Sequence, residues 1–203
     1  MSRVFTVAFT GNSGAGKSLA AEYLGRKGIP SIDCDVLARK VVEVGSPCLD
    51  ELITEFGKTI LNEDGTLNRK ELANIAFSDI SKKQKLDSIT HPYIIAEVEK
   101  ELEVLRNAGT KICIIEAPAL IESGFYKNVD MIVLIGSSRE TLISRISKRD
   151  SISNYDAKKR IDSQVNDTET KTIADYTIDN DGTYDEYIEK LEKLRIELLK
   201  RIN

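Results

Sequence analysis

Residues 4–24 read VFTVAFTGNSGAGKSLAAEYL. The run from Val4 to Thr10 is apolar and β-branched, with the length of a buried strand. At Gly11 it gives way to Gly11, Ser13, Gly14, Ala15 and Gly16, which carry almost no side-chain bulk, and then to Lys17 and Ser18. Such a loop weakens a fold unless something must approach its backbone closely. Gly11 to Ser18 satisfies GxxxxGK[ST], and it does so between a strand pattern and a helix pattern, the context this spacing requires. In that context backbone N–H groups and the N-terminus of the following helix hold phosphate oxygens. Lys17 reaches the β- and γ-phosphates, and the Ser18 hydroxyl is placed for Mg²⁺. The expected ligand is a nucleoside triphosphate.

Outward from this loop, strand and helix patterns alternate. FTVAFT is followed by the helical KSLAAEYLGRKG, the short strand IPSID and the helical VLARKVVEVG. Residues 47–108 read as helical throughout, then KICIIEA and DMIVLIG as strands, residues 138–167 as polar helix, ADYTID as a last strand, and the stretch from Tyr184 as an amphipathic helix. In that last stretch Tyr187, Ile188, Leu191, Leu194, Leu198 and Ile202 recur at helical spacing. Short β-branched strands separated by helices predict an α/β fold, a parallel sheet covered on both faces, with ligands at the carboxyl ends of the strands. The two long polar helical regions exceed simple crossovers and are read in part as insertions over that edge. The boundaries drawn from this pattern are a core at about 1–60, 109–137 and 168–203, a helical acceptor-binding insertion at about 61–108, and a lid at about 138–167.

Composition narrows the function classes. The chain has 203 residues, 41% hydrophobic and 31% charged, enough to bury one core. Its net charge of -4, from 29 basic and 33 acidic side chains, argues against a nucleic-acid partner. The three cysteines, Cys34, Cys48 and Cys113, form no CxxC pair, and the single histidine, His91, excludes a metal site with two histidines. With no stretch near the roughly 18 apolar residues of a membrane span and no signal-peptide pattern, a cytoplasmic protein without a membrane partner is expected.

A triphosphate can serve a switch, a motor or a kinase. There is no NKxD base-recognition motif, and the chain is short for a motor. A small-molecule kinase needs an acceptor carboxylate and mobile cations. Asp33 and Asp35 in IDCD stand where the second strand ends, which reads as placing both carboxylates at the ligand edge, one on each side of the chain. There they can take a proton from a hydroxyl or hold metal through water, or Asp35 can cap the following helix. Arg39, one turn after Asp35, clamps a substrate phosphate or pairs with Asp35. Arg145 and Arg149 in RISKRD share a helix face at i, i+4; like charges there call for an anion, or form a solvated face. His91 reads as packing or capping, with an acid–base role open to it. Glu116 ends the third strand as a metal-supporting acid or, with Pro118, as a strand terminator. Asn180-Asp181-Gly182 suits a base-contacting loop and equally a turn.

These pieces together resemble the dephospho-CoA kinase family. The resemblance is carried, in order, by FTGNSGAGKS, IDCDVLARKVV, EVGSPCLDELITEFG, DGTLNRKELANIAF, ITHPYI, APALIESGFY, RISKRD and ADYTIDN, and it runs through nearly the whole chain. It implies a P-loop kinase core with a five-stranded parallel sheet, a helical CoA-binding insertion and a lid. It implies ATP and Mg²⁺ as cofactors, with ATP on Asn12, Ser13, Gly14, Ala15, Gly16, Lys17, Ser18, Leu19 and Asn180, and the metal at Ser18. It makes Asp35 the catalytic carboxylate alongside Lys17, Arg145 and Arg149. It groups Asp35, Arg39 and His91 at the acceptor, where Asp33 is a further substrate-binding candidate open to a metal-shell or structural role, and it puts residues 67–86 in the CoA-binding domain and Gln164 near the nucleotide. Two departures stand out: Leu19 offers no second hydroxyl, and Ala119 and Ile121 in APALIES alter the pocket shape.

The reaction expected is ATP plus dephospho-CoA giving ADP and CoA, the last step of CoA biosynthesis, by a monomer acting on a small molecule. The alternatives are a nucleoside or nucleoside-monophosphate kinase, with the same core and another acceptor, and an ATP-binding switch without an acceptor. The IAF–ITHPYI pattern argues against the former and the RISKRD lid against the latter.

Overall fold

The computed structural model describes residues 3–117, 125–164 and 167–202. Pro118, Ala119 and Ile121 lie outside the described residues. Five strands form one parallel sheet: β1 (Phe5–Thr10), β2 (Ser31–Asp33), β3 (Ile112–Glu116), β4 (Met131–Gly136) and β5 (Tyr176–Asp179). Their order is β2-β3-β1-β4-β5. β1 therefore sits at the centre, between β3 and β4, at the point where the chain crosses from one side of the sheet to the other. That switch point is where an open α/β sheet offers a ligand crevice beyond the carboxyl ends of its strands.

In the three inner strands every residue but Phe5 is buried, as in strands covered on both faces. The helices that pack with them in this unit are α1 (Lys17–Arg26), α6 (Arg139–Asp150), α7 (Asn154–Asp162) and α9 (Tyr184–Arg201), with the short α8 (Asp167–Ile173) preceding β5. Their buried side chains, Leu24, Leu142, Ile146, Ile161, Leu191, Leu194 and Leu198, join Phe9, Ile114, Val133 and Ile135 in one core. Carboxylates pin the entering ends of the strands. Asp130 accepts from the Thr6 amide at 2.8 Å and hydroxyl at 2.9 Å, and Asp175 accepts from the Ile132 amide at 2.7 Å.

The chain divides into two compact units, residues 1–33 with 104–203, and residues 34–103. The second unit contains α2 (Cys34–Lys40), α3 (Pro47–Phe56), α4 (Arg69–Ala76) and most of α5 (Ile80–Asn107). Its own core holds Val41, Val42, Cys48, Leu52, Ile60, Leu72 and Ile89. That apolar set begins at Val41. α3 starts where Ser46 accepts from the Leu49 amide at 3.2 Å with Pro47 in the first turn, and α4 where Asn68 accepts from the Glu71 amide at 3.0 Å.

Three local expectations change. α2 stops at Lys40, before the β-branched Val41-Val42 and Gly45 at φ 81°, so VLARKVVEVG is only half helix. The region 47–108 is not helical throughout. A tight turn brings Leu61 against Leu67 as an antiparallel bridge, where Asp64 accepts from the Thr66 amide and hydroxyl. Residues 139–162 form two helices rather than one, parted by Ser151 in the left-handed region and restarted by the Ser153 cap.

Candidate active site

The loop between β1 and α1 is held open by glycine where nothing else fits. A Cβ at Gly11, φ 130°, would lie 2.1 Å from the Ile135 carbonyl oxygen, and one at Gly16, φ 108°, 2.5 Å from Asn180 Nδ2. Gly16 is the N-cap of α1 in a left-handed conformation and supplies no side chain to its first amides. A helix start of this kind is an anion site.

Side chains from distant elements close on this loop. Lys17 Nζ folds back to donate to the carbonyls of Gly11 at 2.7 Å and Asn12 at 3.0 Å. From α6, Arg145 donates to the Gly14 carbonyl at 3.4 Å, the Ser137 hydroxyl at 3.1 Å and Asn180 Oδ1 at 3.4 Å. Arg149, one turn on, reaches the Ser13 hydroxyl at 3.2 Å while also holding Asp150. Asp150 joins Arg149 to Arg160 of α7, and the Arg149 guanidinium keeps its carboxyl below the usual range. Just past α7, Gln164 accepts from the Ser13 amide at 2.9 Å. From the end of β5, Asn180 donates to the Ala15 carbonyl at 2.7 Å. From α9, Tyr187 donates to the Gly16 carbonyl at 3.0 Å.

Thus Ser13, Gly14, Ala15, Gly16, Lys17, Arg145, Arg149, Gln164 and Asn180 meet at one loop. Asn12 contributes a carbonyl to Lys17, and Leu19 packs into the core beneath. Asn180 is buried and spends its amide on the loop backbone. Its neighbour Asp181 accepts from the Ser138 amide, which holds its carboxyl below the ordinary value and anchors the start of α6. Ser137 and Tyr187 were missed as site residues. Helical spacing reads Tyr187 as one more apolar residue, and its hydroxyl partner lies 171 residues away.

Asp33 closes β2 in register with Glu116 of β3, and Glu116 is in turn in register with Phe9 of β1. Two carboxylates therefore stand at the carboxyl edge of the sheet, Glu116 on the strand next to the one that feeds the loop and Asp33 one strand further out. These carboxylates and the exposed Ser18 hydroxyl are oxygen donors of the kind Mg²⁺ takes, an ion that keeps several waters and binds through one or two carboxylates plus phosphate. No cluster of three or more His, Cys, Asp or Glu side chains able to hold a metal occurs among the described residues. The fit is to a metal carried with its phosphates, not to a cage built by protein.

A strand continued through Asp35 would turn Asp33 and Asp35, two residues apart, to the same side rather than one to each side, and β2 in any case ends at Asp33. Cys34 already opens α2, so Asp35 lies in its first turn and Asp33 takes the position before the helix. A carboxylate at that first-turn position complements the helix dipole. Asp35, Arg39 and His91 belong to the second unit. Asp35 and Arg39 are exposed on α2, and the Arg39 carbonyl accepts from Arg69 at 3.5 Å. His91 is half-buried on α5, 3.7 Å from Asp87 one turn earlier.

A family model described as Dephospho-CoA kinase matches residues 5–186. The Dephospho-CoA kinase of Listeria innocua is 38% identical over 196 residues, covering 97% of this chain and 96% of the relative. Among solved structures, the dephospho-CoA kinase from Campylobacter jejuni is similar at a TM-score of 0.70 and 28% identity, over 96% of this chain and 97% of that one. A shikimate kinase from Acinetobacter baumannii in complex with shikimate reaches a TM-score of 0.56 at 13% identity, over 98% of this chain and 94% of its own, a likeness of fold alone. The match takes in the glycine loop, both units, and the helices whose arginines rest on the loop, so the chain belongs to the dephospho-CoA kinase family.

Proposed function

We propose that this chain transfers the γ-phosphoryl group of ATP to the ribose 3′-hydroxyl of dephospho-CoA, giving CoA and ADP. The observation that carries the reading is the convergence of Lys17, Arg145 and Arg149 on a glycine-lined helix N-terminus, within a chain matched by the family model over 5–186. Phosphoryl transfer depends on positioning and on cations that meet the charge of the transferring group.

In this reading the loop amides hold the β- and γ-phosphates. Lys17 leaves the carbonyls of Gly11 and Asn12 for phosphate oxygen. Arg145 and Arg149 neutralise the equatorial oxygens, with Arg149 exchanging its hold on Asp150. Asp35 orients or deprotonates the acceptor hydroxyl; by chain connectivity it follows the end of β2 by two residues. Arg39 and His91 contact the acceptor. Asn180 supports the nucleotide through the loop. Ser18 would hold Mg²⁺, with Asp33 and Glu116 holding its waters; when bound, the ion supplies charge neutralisation between the β- and γ-phosphates. Closure of residues 138–167 excludes water and suppresses ATP hydrolysis. The residue ranges 61–108 for the acceptor and 138–167 for the lid, a monomeric state, a cytoplasmic setting and the absence of a nucleic-acid partner complete the proposal. The negative net charge supports a small phosphorylated partner met by a local cationic cluster.

The test is ADP release by the purified protein with ATP and Mg²⁺, run in parallel with dephospho-CoA, AMP, dTMP and no acceptor, with product mass checked. ADP formed only with dephospho-CoA, and a product one phosphate heavier, is the expected result. ADP formed only with a nucleotide acceptor would overturn the acceptor assignment. Slow release indifferent to every acceptor would overturn the kinase.

A further inference from the structure

Tyr187 is among the largest fully buried side chains, yet its hydroxyl reaches a polar target on the glycine loop. Its position is set locally. Thr183 caps α9 by accepting from the Glu186 amide, and Glu186 returns by accepting from the Thr183 amide at 2.7 Å. With the start fixed, Tyr187 falls on the same buried face as Leu191, Leu194 and Leu198. The ring lies behind the loop, and the hydroxyl donates to the Gly16 carbonyl at 3.0 Å. One residue earlier in the loop, the buried Asn180 amide donates to the Ala15 carbonyl at 2.7 Å.

A planar trans peptide points its carbonyl and the following N–H in opposite directions. Holding the Ala15 oxygen toward Asn180 turns the Gly16 N–H away from it. Holding the Gly16 oxygen toward Tyr187 turns the Lys17 N–H away from the core. These are amides of the loop that cradles phosphate in this motif. The same two side chains crowd the position a Gly16 Cβ would take, at 2.5 Å from Asn180 Nδ2 and 3.3 Å from the Tyr187 hydroxyl. Burial pushes the Tyr187 hydroxyl up in pKa, so it stays a donor through the working range of the protein.

We infer that Tyr187 is a positioning residue for nucleotide binding, aiming the Lys17 amide from behind the loop by holding the Gly16 carbonyl, in concert with Asn180. The inference rests on the reading of this loop as the nucleotide cradle and is independent of which acceptor is phosphorylated. The Gly16 carbonyl also accepts from the Ala20 amide at 3.0 Å, so losing the phenol does not orphan it. What is lost is a constraint on direction.

The experiment compares wild type, Tyr187→Phe and Leu191→Val by calorimetric titration with ADP and ATP, by KM and kcat for both substrates, and by thermal midpoint. Tyr187→Phe keeps the ring and its packing, so about a fivefold weaker nucleotide affinity is expected from one neutral hydrogen bond. The KM for ATP should rise by a similar factor, with the KM for dephospho-CoA unchanged. Leu191→Val, on the same face of α9, should lower the midpoint and leave both affinities alone. Wild-type nucleotide affinity in Tyr187→Phe would overturn the inference, and so would an equal loss for both substrates. If the wild type fails to phosphorylate dephospho-CoA while Tyr187→Phe still weakens ADP binding, the acceptor assignment falls and the positioning role stands.

Discussion

Lys17 donates to two carbonyls of its own loop, at 2.7 and 3.0 Å, and in the proposed reaction it trades them for phosphate oxygen. Lys17→Ala is expected to weaken ATP binding and to lower turnover together, since the same charge serves ground state and transition state. Asp35→Asn should separate the two: nucleotide affinity stays within about twofold while kcat falls by about 10² or more, the range of a positioned acid–base group. Titration with ATP beside steady-state rates reads both variants; near-normal turnover in Asp35→Asn would remove the carboxylate from the mechanism. Arg149 differs from Arg145 in its partners. It is shared with Asp150, whereas Arg145 is spread over Gly14, Ser137 and Asn180. Asp150→Asn should therefore leave α6 folded and raise the salt sensitivity of turnover, measured as kcat against KCl concentration, because Arg149 then loses its carboxylate partner and keeps only the neutral Ser13 hydroxyl beside phosphate.

Among the elements, α9 joins the sheet core to α1 by a surface network as well as by packing. Tyr23 of α1 donates to Glu192 at 2.9 Å, and Arg195 grips the same carboxylate at 2.7 Å. The Arg195 hydrogen bonds, then the one from Tyr23, hold the Glu192 carboxyl down to about 2. A carboxyl depressed in the folded chain stabilises it above the ordinary glutamate value and loses that contribution as pH falls toward the folded value. Thermal midpoints for wild type and Glu192→Gln should differ at neutral pH and converge as pH falls from about 4.5 to about 2. A gap constant across that window would place the effect in packing. Elements were also where sequence reading was most informative. The glycine loop between a β-branched run and an alanine-rich helix is dictated by sterics that only glycine meets, so β1, the loop and α1 were legible outright. The inner strands were legible because two-sided burial demands unbroken apolar runs. The turn at 61–67 and the break at Ser151 were not, since each depends on short polar side chains bonding locally to backbone and leaves the hydrophobic period almost undisturbed; nor was the end of α2, because Val41 and Val42 continue the apolar pattern past the point where the helix stops.

For the whole chain, the two compact units each hold their own core, and two substrates are expected to be felt separately. Hydrogen exchange should show protection at residues 11–19 with ADP alone, and in residues 34–103 only once dephospho-CoA is added. Saturating ATP at about 100 times its Kd should add about 2.7 kcal/mol to the unfolding free energy, read as a rise in thermal midpoint. The site was legible at this scale only in part. Lys17, Arg145 and Arg149 declare themselves by charge and spacing. Asn180 and Tyr187 act on backbone carbonyls more than 160 residues earlier, and no local pattern carries that pairing. No helix among the described residues is long and apolar enough to cross a membrane.

The carbonyls of the glycine loop are taken up from within: Gly11 and Asn12 by Lys17, Gly14 by Arg145, Ala15 by Asn180, Gly16 by Tyr187. A glycine-rich segment left to itself would sample many shapes, and each arriving nucleotide would have to freeze one of them. Here the Asn180 and Tyr187 hydrogen bonds fix part of that shape before the nucleotide arrives, and they stay in place when Lys17 turns to phosphate. Binding then loses little further chain entropy, and more of the attraction between phosphate and amide survives as affinity.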